Sequence, residues 1–373
     1  MSVPSAIPPD RLLLGPGPSP VHPDVLAAQS RPTVGHLDPW FLEVTDQIAL
    51  MLRAVLRTDN PLTYAVSGTG SAGMETAVAN IVEPGDTVIV GVNGVFGGRL
   101  ADCARRVGAE IVAIEAPWGQ VIAPEQVAEA LADHPDAKVV GIVHAETSTG
   151  AHQPLEEIGQ LVADTPTVLL VDAVTSLGGV PLEVDAWSLD IVYSGTQKCL
   201  SVPPGLAPLT FSDKAAALLD ARQAPVGSWY FDVEAIRRYW GAERAYHHTA
   251  PINALYGLHE GLRRVLDEGL ERRWARHAEV GGLFQSHLLD RDAVLLAQEG
   301  HRLPQLTAFS LPSGVQEAAL RRRLLDEHGI EVGGGLGEFA GRAWRVGLMG
   351  EGAMHEHVDR LLHAMDELVE SPS

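Results

Sequence analysis

Short apolar runs rich in β-branched residues alternate with helical patterns along the first two thirds of the chain. This alternation restricts the possible folds more than any other feature. The runs lie at 63–66, 87–90, 110–114, 138–143, 167–172, 190–193 and 206–211, and helical patterns between several of them lie at 74–81, 97–107, 124–131 and 155–162. Apolar strands alternating with helices are typical of a mainly parallel sheet covered on both faces. We therefore expect an α/β fold with one seven-stranded sheet, and ligands at the carboxyl ends of its strands.

The last third of the chain follows a different pattern. A long helical pattern covers 250–288 and is followed by a strand at 306–311, a helix at 317–327, a strand at 344–348 and a helix at 355–369. At 373 residues the chain is longer than the roughly 250–300 at which single cores stop growing. We expect a proline-rich extended arm at 1–18, a large domain at 19–271 and a smaller α+β domain at 272–373.

Composition excludes several classes of partner. The 27 basic and 48 acidic side chains give a formal charge of -21, which repels both a phosphate backbone and an anionic bilayer surface. We therefore expect no nucleic acid and no membrane as partners. Two cysteines and the adjacent His247 and His248, with no third ligand at metal spacing, predict no metal site. The first ten residues lack the regions of a signal peptide, so a cytoplasmic location is expected.

A glycine-rich turn follows the first predicted strand and opens a helix. Its sequence, GTGSAG at 68–73, offers free backbone N–H groups and the hydroxyls of Thr69 and Ser71, which suit one phosphate group. The alternative is a plain strand-to-helix turn with a helix cap. The same stretch satisfies GxGxxG, but a dinucleotide site needs an acidic residue at the end of the next strand, and Asn93 stands there.

An acid and an amine follow two later strands. Asp172 ends the run at 167–172, and Lys198 lies in the small-residue turn after the run at 190–193. Taken alone, Asp172 fits a turn or helix cap and Lys198 fits a solvated surface lysine. Together with the upstream turn they match pyridoxal 5'-phosphate, which has a phosphate, an aldehyde that a lysine captures as a Schiff base, and a ring nitrogen that an aspartate keeps protonated.

Several motifs, in one order and nearly from end to end, carry a resemblance to a known family. They are LLLGPGPSPVHP, SGTGSAGMETAVANIVEPGD, VNGVFGGR, HAETSTGAHQPL, LLVDAVTSLGGVPLEVD, YSGTQKCLSVPPGLAPLTFSDKA, YHHTAPINALYGLHEGL and WRVGLMG. The chain resembles the class V, fold type I pyridoxal phosphate aminotransferases, in the alanine-glyoxylate and serine-pyruvate or serine-glyoxylate branch. The resemblance implies the fold type I architecture, with Lys198 as the Schiff-base lysine and Asp172 as the partner of the ring nitrogen.

The resemblance also implies roles for residues around the cofactor. Phe96 matches the aromatic residue that stacks on the ring, where close relatives often have tryptophan, and Thr147 matches a hydroxyl residue near the ring. Ser71 stands where some relatives have histidine, and these two departures bear on substrate preference. The positions that match phosphate-binding residues are Thr69, Gly70, Ser71 and Gln197.

Further positions imply a shared active site and a carboxylate substrate. Tyr246 and Thr249 match residues that reach the cofactor phosphate of the neighbouring subunit, which implies a homodimer. Arg345 matches the residue that binds the substrate α-carboxylate through its planar guanidinium. Pro16 and Gly17 match the family's arm segment at the substrate pocket, although an arm that only straps a dimer together fits them too.

The expected activity is therefore transamination. An amino acid donor, alanine or serine, leaves its amine on the cofactor, and a small 2-oxo acid, glyoxylate or pyruvate, collects it in ping-pong steps. The alternative is another class V enzyme on the same fold, namely an aminoethylphosphonate transaminase, a lyase or an epimerase. A protein that keeps the fold without catalysis would be expected to lack Lys198, Asp172 or Arg345, and all three are present.

Overall fold

A seven-stranded sheet forms the centre of the larger part of the computed structural model, which describes residues 6–370. The helices are α1 (Pro23–Gln29), α2 (Pro39–Leu56), α3 (Gly70–Ile81), α4 (Val95–Arg106), α5 (Pro124–Asp133), α6 (Glu156–Ala163), α7 (Asp213–Ala221), α8 (Val233–Trp240), α9 (Ile252–Glu268), α10 (Leu270–Leu289), α11 (Glu317–His328) and α12 (His355–Glu370). The strands are β1 (Leu12–Leu13), β2 (Leu62–Ser67), β3 (Thr87–Val92), β4 (Glu110–Glu115), β5 (Val139–Val143), β6 (Ala145–Glu146), β7 (Ala151–His152), β8 (Val168–Asp172), β9 (Ile191–Tyr193), β10 (Leu206–Phe211), β11 (Leu306–Ser310), β12 (Ile330–Glu331), β13 (Gly333–Gly334) and β14 (Ala343–Gly347). Residues 1–5 of the predicted arm and 371–373 of the predicted small domain lie outside the described residues.

The central sheet has the strand order β2-β10-β9-β8-β5-β3-β4. Its pairs are parallel except those of β10, which runs antiparallel to both β2 and β9. Every residue of β5 and of β8 is buried, which explains why these segments are continuous apolar runs rather than alternating ones. The predicted α/β fold with a mainly parallel seven-stranded sheet is confirmed.

Helices cover both faces of this sheet and enclose two cores. Helices α1, α2 and α9 bury side chains such as Ile48 and Leu258 against one face. Helices α3, α4, α7 and α8 bury Leu100 and Ile236, among others, against the opposite face. The sheet is therefore held rigidly, so the residues at its strand ends keep fixed positions.

A third core belongs to the last third of the chain. The small sheet β11-β14-β13 packs with α10, α11 and α12 around Phe284, Phe309 and Trp344. The rings of Phe309 and Trp344 lie edge to face with centroids 6.4 Å apart, a favourable arrangement for aromatic pairs. The predicted limit between residues 271 and 272 falls in the first turn of α10. The domain limits themselves stay a prediction.

The N-terminal segment connects the two parts. Strand β1 pairs in parallel with β12, and the N–H of Gly347 donates to the carbonyl of Leu14 at 2.8 Å. Farther along, the N–H of Ser19 donates to the carbonyl of Gln197 at 2.9 Å. The segment therefore runs from the small sheet to the turn that carries Lys198. Among residues 6–370, none of the helices has both the length and the apolar character needed to cross a bilayer.

The small core provides a test of the fold. Trp344 is 1 % exposed in that core, whereas Val294 is 64 % exposed. Replacing Trp344 with alanine should lower the free energy of unfolding by about 3–5 kcal/mol, since the change removes a fully buried side chain and leaves a cavity. Val294→Ala is the control and should change it by less than about 1 kcal/mol. Thermal unfolding followed by circular dichroism compares the two, and equal losses would contradict the placement of Trp344.

Candidate active site

The carboxyl ends of β8 and β9 and the turn before α3 meet at one edge of the central sheet. They enclose a cavity of about 200 Å³. The lining residues are Thr69, Gly70, Ser71, Met74, Phe96, Arg99, Ala145, Thr147, Asp172, Val174, Tyr193, Gln197 and Lys198. Eight of the predicted site residues are among them. A larger neighbouring cavity of about 810 Å³ shares Ser71, Met74 and Arg99 but contains neither the lysine nor the aspartate.

Asp172 is held at the end of β8 by two hydrogen bonds. Its carboxylate accepts from the N–H of Val174 at 2.9 Å and from the hydroxyl of Tyr193 at 2.8 Å. Tyr193 is its register partner on β9, so the pairing of the two strands delivers the second donor. Burial raises the pKa of Asp172, while these bonds and the charges of Lys198 and Arg99 lower it. A buried carboxylate with spare acceptor capacity suits a cationic partner in the cavity.

Lys198 differs from the two other lysines of the chain. Lys138 lies 2.8 Å from a carboxylate oxygen of Asp86, and Lys214 lies 3.4 Å from one of Asp190. Lys198 has no carboxylate within 4.0 Å in the described part of the chain, and its amine donates to the carbonyl of Pro16. Burial, and next the charge of Arg345, lower the pKa of Lys198 to about 8. A substantial fraction of this amine is therefore neutral and nucleophilic near physiological pH.

The N-terminal segment closes over Lys198 at a glycine. Gly17 has a φ of 109°, in the region that favours glycine, and a Cβ there would lie 2.7 Å from the amine nitrogen of Lys198. The hydroxyl of Ser19 donates to the carbonyl of Lys198 at 2.7 Å. The segment thus contacts both the side chain and the backbone of the lysine. This contact agrees with the predicted place of Pro16 and Gly17 at the pocket. The alternative, an arm that only straps a dimer together, stays a prediction.

The turn before α3 presents hydrogen-bond donors to the cavity. Thr69 is the N-cap of α3 and makes no side-chain cap bond, so its hydroxyl is free for a ligand. A Cβ on Gly195 would lie 3.4 Å from Cα of Gly70, so two backbones approach closely there. The buried side-chain oxygen of Gln197 has no partner within residues 6–370, and the amide can be turned to present its NH₂ group. This group of donors matches what an anionic phosphate needs.

Phe96 and Thr147 lie on the cavity as the resemblance implied. The guanidinium of Arg99 lies over the ring of Phe96, 4.6 Å from its centroid. The hydroxyl of Thr147 is 2.6 Å from that of Thr175, and Thr147 is buried. An aromatic face and a hydroxyl therefore line the same space as Asp172 and Lys198.

Arg345 lies close to this cavity but does not line it. It is buried on β14, where Nε donates to the carbonyl of Gly334 at 2.8 Å and Nη1 to that of Thr147 at 3.2 Å. Burial lowers the pKa of Arg345 to about 10, opposed by the charge of Glu146. No carboxylate lies within 4.0 Å of it, and its Nη2 makes no hydrogen bond, among the residues that the structure describes. The guanidinium therefore has unused capacity for a carboxylate ligand.

Two predicted site residues are not brought to this cavity. Tyr246 is 61 % exposed and Thr249 is exposed, and neither lines the cavity of its own chain. The resemblance assigned both to the neighbouring subunit's site, which a single chain leaves untested. Nearby, His247 Nδ1 and His248 Nδ1 are 2.7 Å apart. Within the described ranges, no group of three or more His, Cys, Asp or Glu residues is arranged to hold a metal ion.

Five cavity residues were missed from the sequence, namely Met74, Arg99, Ala145, Val174 and Tyr193. Val174 could have been found from its position two residues after Asp172, since the turn after a strand end contributes to a ligand site. Arg99 could have been found from helical spacing, because it lies three residues after Phe96. Tyr193 carried no such local signal, as its role depends on the pairing of β8 with β9.

Comparison with known proteins places this geometry in a family. Residues 26–339 match the family model described as Aminotransferase class-V. The chain is 39 % identical to the alanine–glyoxylate aminotransferase of Mus musculus over 97 % of this chain and 88 % of that protein. It is 35 % identical to the (S)-ureidoglycine–glyoxylate transaminase of Bacillus subtilis over 97 % of this chain and 91 % of that protein.

A solved structure agrees with the same assignment. The crystal structure of an alanine–glyoxylate aminotransferase from Nostoc sp. superposes with a TM-score of 0.97, at 50 % identity, covering 99 % of this chain and 98 % of that one. Agreement at this level over nearly all of both chains includes the central sheet and the small sheet. The resemblance stated from the sequence motifs is therefore confirmed.

The contact between Gly17 and Lys198 gives a prediction. Gly17→Ala should lower stability by roughly 1–3 kcal/mol, because alanine is strained at this φ and its Cβ meets the lysine side chain. Gly15→Ala is the matched control, since a Cβ there meets nothing closer than 3.8 Å. Thermal unfolding midpoints of the two variants compare them. A Gly17 variant as stable as the Gly15 variant would show that the segment does not lie over Lys198.

Proposed function

The chain belongs to the class-V aminotransferases, and on that premise we propose that it moves the amino group of a small L-amino acid to a small 2-oxo acid. The proposed donor is alanine or serine and the proposed acceptor is glyoxylate or pyruvate. Alanine and glyoxylate appear in the names of the mouse and Nostoc relatives, which supports this choice. The observation that carries the proposal is the placing of Lys198, Asp172 and Arg345 around one edge of the sheet.

The proposed cofactor is pyridoxal 5'-phosphate, and the residues present fit it. The unpartnered Gln197 side chain and the open N-terminus of α3 suit its phosphate. The buried carboxylate of Asp172 suits a protonated ring nitrogen, and Phe96 offers a face for the ring. When bound, this cofactor supplies an aldehyde for covalent attachment and an electron-withdrawing ring that makes the substrate Cα–H acidic.

Lys198 and Asp172 would do different work at the reacting centre. The Lys198 amine, with its lowered pKa, can act as a nucleophile and can accept or return a proton at its nitrogen near neutral pH. Asp172 stays fixed by Val174 and Tyr193, so its charge faces the cavity without reorganisation. Removing the Tyr193 hydroxyl would loosen that carboxylate, although the aromatic ring would still fill its place in the core.

Arg345 would hold the substrate. Its Nε and Nη1 are fixed by the carbonyls of Gly334 and Thr147, so the guanidinium plane is held while Nη2 stays available. A carboxylate bound there sets the direction of the substrate's Cα–H bond relative to Lys198. This geometry supports an α-amino acid donor over an aminoethylphosphonate donor, whose reacting end carries no α-carboxylate.

A homodimer with shared sites is also proposed. Tyr246 and Thr249 are exposed and lie away from their own chain's cavity, as expected if they serve a second subunit. Trp229 and Tyr230 are also exposed, at 67 % and 39 %, and both rings lie close to His247. Exposed aromatic side chains grouped in this way suit a protein interface.

Product formation from single donors tests the proposed function. Purified protein loaded with pyridoxal phosphate is incubated with glyoxylate and, one at a time, alanine, serine, aspartate and aminoethylphosphonate, and glycine is measured. Serine, aspartate and aminoethylphosphonate are also tested with pyruvate as acceptor, and alanine is measured. Glycine formed from alanine or serine, with loss of activity in Lys198→Ala, supports the proposal. Turnover with aminoethylphosphonate alone, or with none of the four donors, would overturn the proposed substrate class.

The role of Arg345 gives a second prediction. Arg345→Lys keeps the charge but loses the planar guanidinium, so kcat/KM for the donor should fall on the order of 10-fold to 100-fold through a higher KM. The dissociation constant of pyridoxal phosphate should stay within about 2-fold, because Arg345 does not line the cofactor cavity. Steady-state kinetics and cofactor titration check the two parts, and an unchanged KM would contradict the role.

The lowered pKa of Lys198 gives a third prediction. Because the charged form is non-nucleophilic, the rate at which the protein captures pyridoxal phosphate should rise with pH with a midpoint near 8, whereas an ordinary lysine would have its midpoint near about 10.4. Arg345→Met should move the midpoint upward, since the charge of Arg345 contributes to the low pKa of Lys198. Stopped-flow absorbance measures these rates, and a midpoint above 9 in the unaltered protein would contradict the account.

A further inference from the structure

A second buried carboxylate lies behind the site and has no role in the proposed chemistry. Glu146 is fully buried at the end of β6, between Ala145 and Thr147, which both line the cofactor cavity. Within the described residues it has no cationic side chain within 4.0 Å. Burying an unpaired carboxylate is costly unless hydrogen bonds replace its water, so its partners show what its charge is used for.

Both oxygens of Glu146 are saturated by donors from two segments. Oε2 accepts from the backbone N–H groups of Phe96 at 3.1 Å and Gly97 at 3.3 Å. Oε1 accepts from the N–H of Ser148 at 3.0 Å and also from its hydroxyl. Burial raises the pKa of Glu146, and these four bonds oppose that rise. The carboxylate therefore bridges the start of α4 and the turn that carries Thr147.

Helix α4 depends on this bridge for its N-terminal cap. Its own N-cap, Gly94, has no side chain to accept a bond from the helix start. Instead, the hydroxyl of Ser148 accepts from Val95 at 3.1 Å, and Glu146 accepts from the next two N–H groups. A Cβ on Gly94 would lie 2.4 Å from Cδ of Glu146, so the glycine leaves room for the carboxylate. The first N–H groups of α4 thus find their acceptors on Glu146 of β6 and on Ser148 in the turn that follows it.

The capped turn is the one that carries Phe96. Because Phe96 is the second residue of α4, the bond from its N–H to Glu146 fixes the backbone from which its ring extends to the cavity. A negative charge at a helix N-terminus is stabilising in addition to the hydrogen bonds. Through its bonds to Ser148, Glu146 also orders the turn after β6. The residue between them, Thr147, accepts a hydrogen bond at its carbonyl from Arg345. One carboxylate therefore joins the ring-facing and substrate-facing parts of the site.

We propose that Glu146 is a positioning residue, which sets the ring of Phe96 against the cofactor and Thr147 against Arg345 by capping α4 from β6. The proposal rests on the proposed function for the identity of the cofactor. The cap itself is a set of contacts within this chain, so it does not depend on the proposed function. It predicts that loss of the carboxylate loosens residues 95–97 locally and weakens cofactor binding, while the rest of the fold is unaffected.

The test uses hydrogen exchange resolved to single amides in the cofactor-free protein. Glu146→Gln keeps the shape but puts an NH₂ donor where one oxygen accepts, so some of the four donors lose their acceptor. Exchange at Phe96 and Gly97 should become faster on the order of 10-fold or more, with amides of α9 unchanged. Ser148→Ala is the matched control, because it removes the acceptor for Val95 and one donor to Glu146 but leaves Glu146 in contact with Phe96 and Gly97.

Cofactor binding provides the second measurement. In Glu146→Gln the dissociation constant of pyridoxal phosphate should rise on the order of 10-fold, with a weaker visible circular dichroism signal from the bound ring. Glu146→Asp keeps the charge on a shorter side chain, so it should recover part of the cofactor affinity and part of the circular dichroism signal. If the glutamine variant does not fold, Glu146→Asp takes its place in the test. Unchanged exchange at Phe96 and Gly97, or equal acceleration over the whole chain, would overturn the proposal. Absence of cofactor binding in the unaltered protein would instead overturn the proposed function.

Discussion

A partly buried amine with no carboxylate beside it is the constraint on which the site depends. Lys198 is the only one of the three lysines that lacks an acidic partner within 4.0 Å among the described residues. An ammonium group in such a place is disfavoured by lost hydration, and the nearby charge of Arg345 adds repulsion. The fold therefore keeps a reactive amine in a place where the cationic form of a lysine is disfavoured. The sheet, the N-terminal segment and the small domain all contribute to that environment.

The parts of the site come from distant segments, and rigid strands bring them together. Asp172 and Lys198 follow neighbouring strands β8 and β9, while the donors at the start of α3 follow β2. Pro16 and Gly17 approach from the N-terminal segment, and Arg345 comes from the small sheet. Because Arg345 belongs to the small sheet and Asp172 to the central sheet, displacement of the small sheet would move Arg345 without moving Asp172. This arrangement puts the proposed substrate-binding residue and the proposed cofactor-binding residues on different sheets.

Much of this could be predicted because the signals are local. The strand at 168–172 ends in Asp172, and the turn after β9 holds Lys198, so the alternation of strands and helices was enough to place both at one edge. Some hydrogen-bond partners of the buried carboxylates could not be predicted, because they come from distant parts of the chain. The bond from Tyr193 to Asp172 depends on strand register, and the cap from Glu146 to α4 joins residues about fifty positions apart. Such contacts leave no periodic pattern, because they are set only when the sheet is assembled.

The measurement that tests the account most directly is the site of covalent capture. The protein is mixed with pyridoxal phosphate, reduced with borohydride and digested, and the modified lysine is identified by mass spectrometry. The chain offers three candidates, Lys138, Lys198 and Lys214, of which the first and last are paired with carboxylates. The account predicts stoichiometric modification at Lys198, reduced in Asp172→Asn because the cofactor is held less tightly. Modification at Lys138 or Lys214, or none at Lys198, would contradict it.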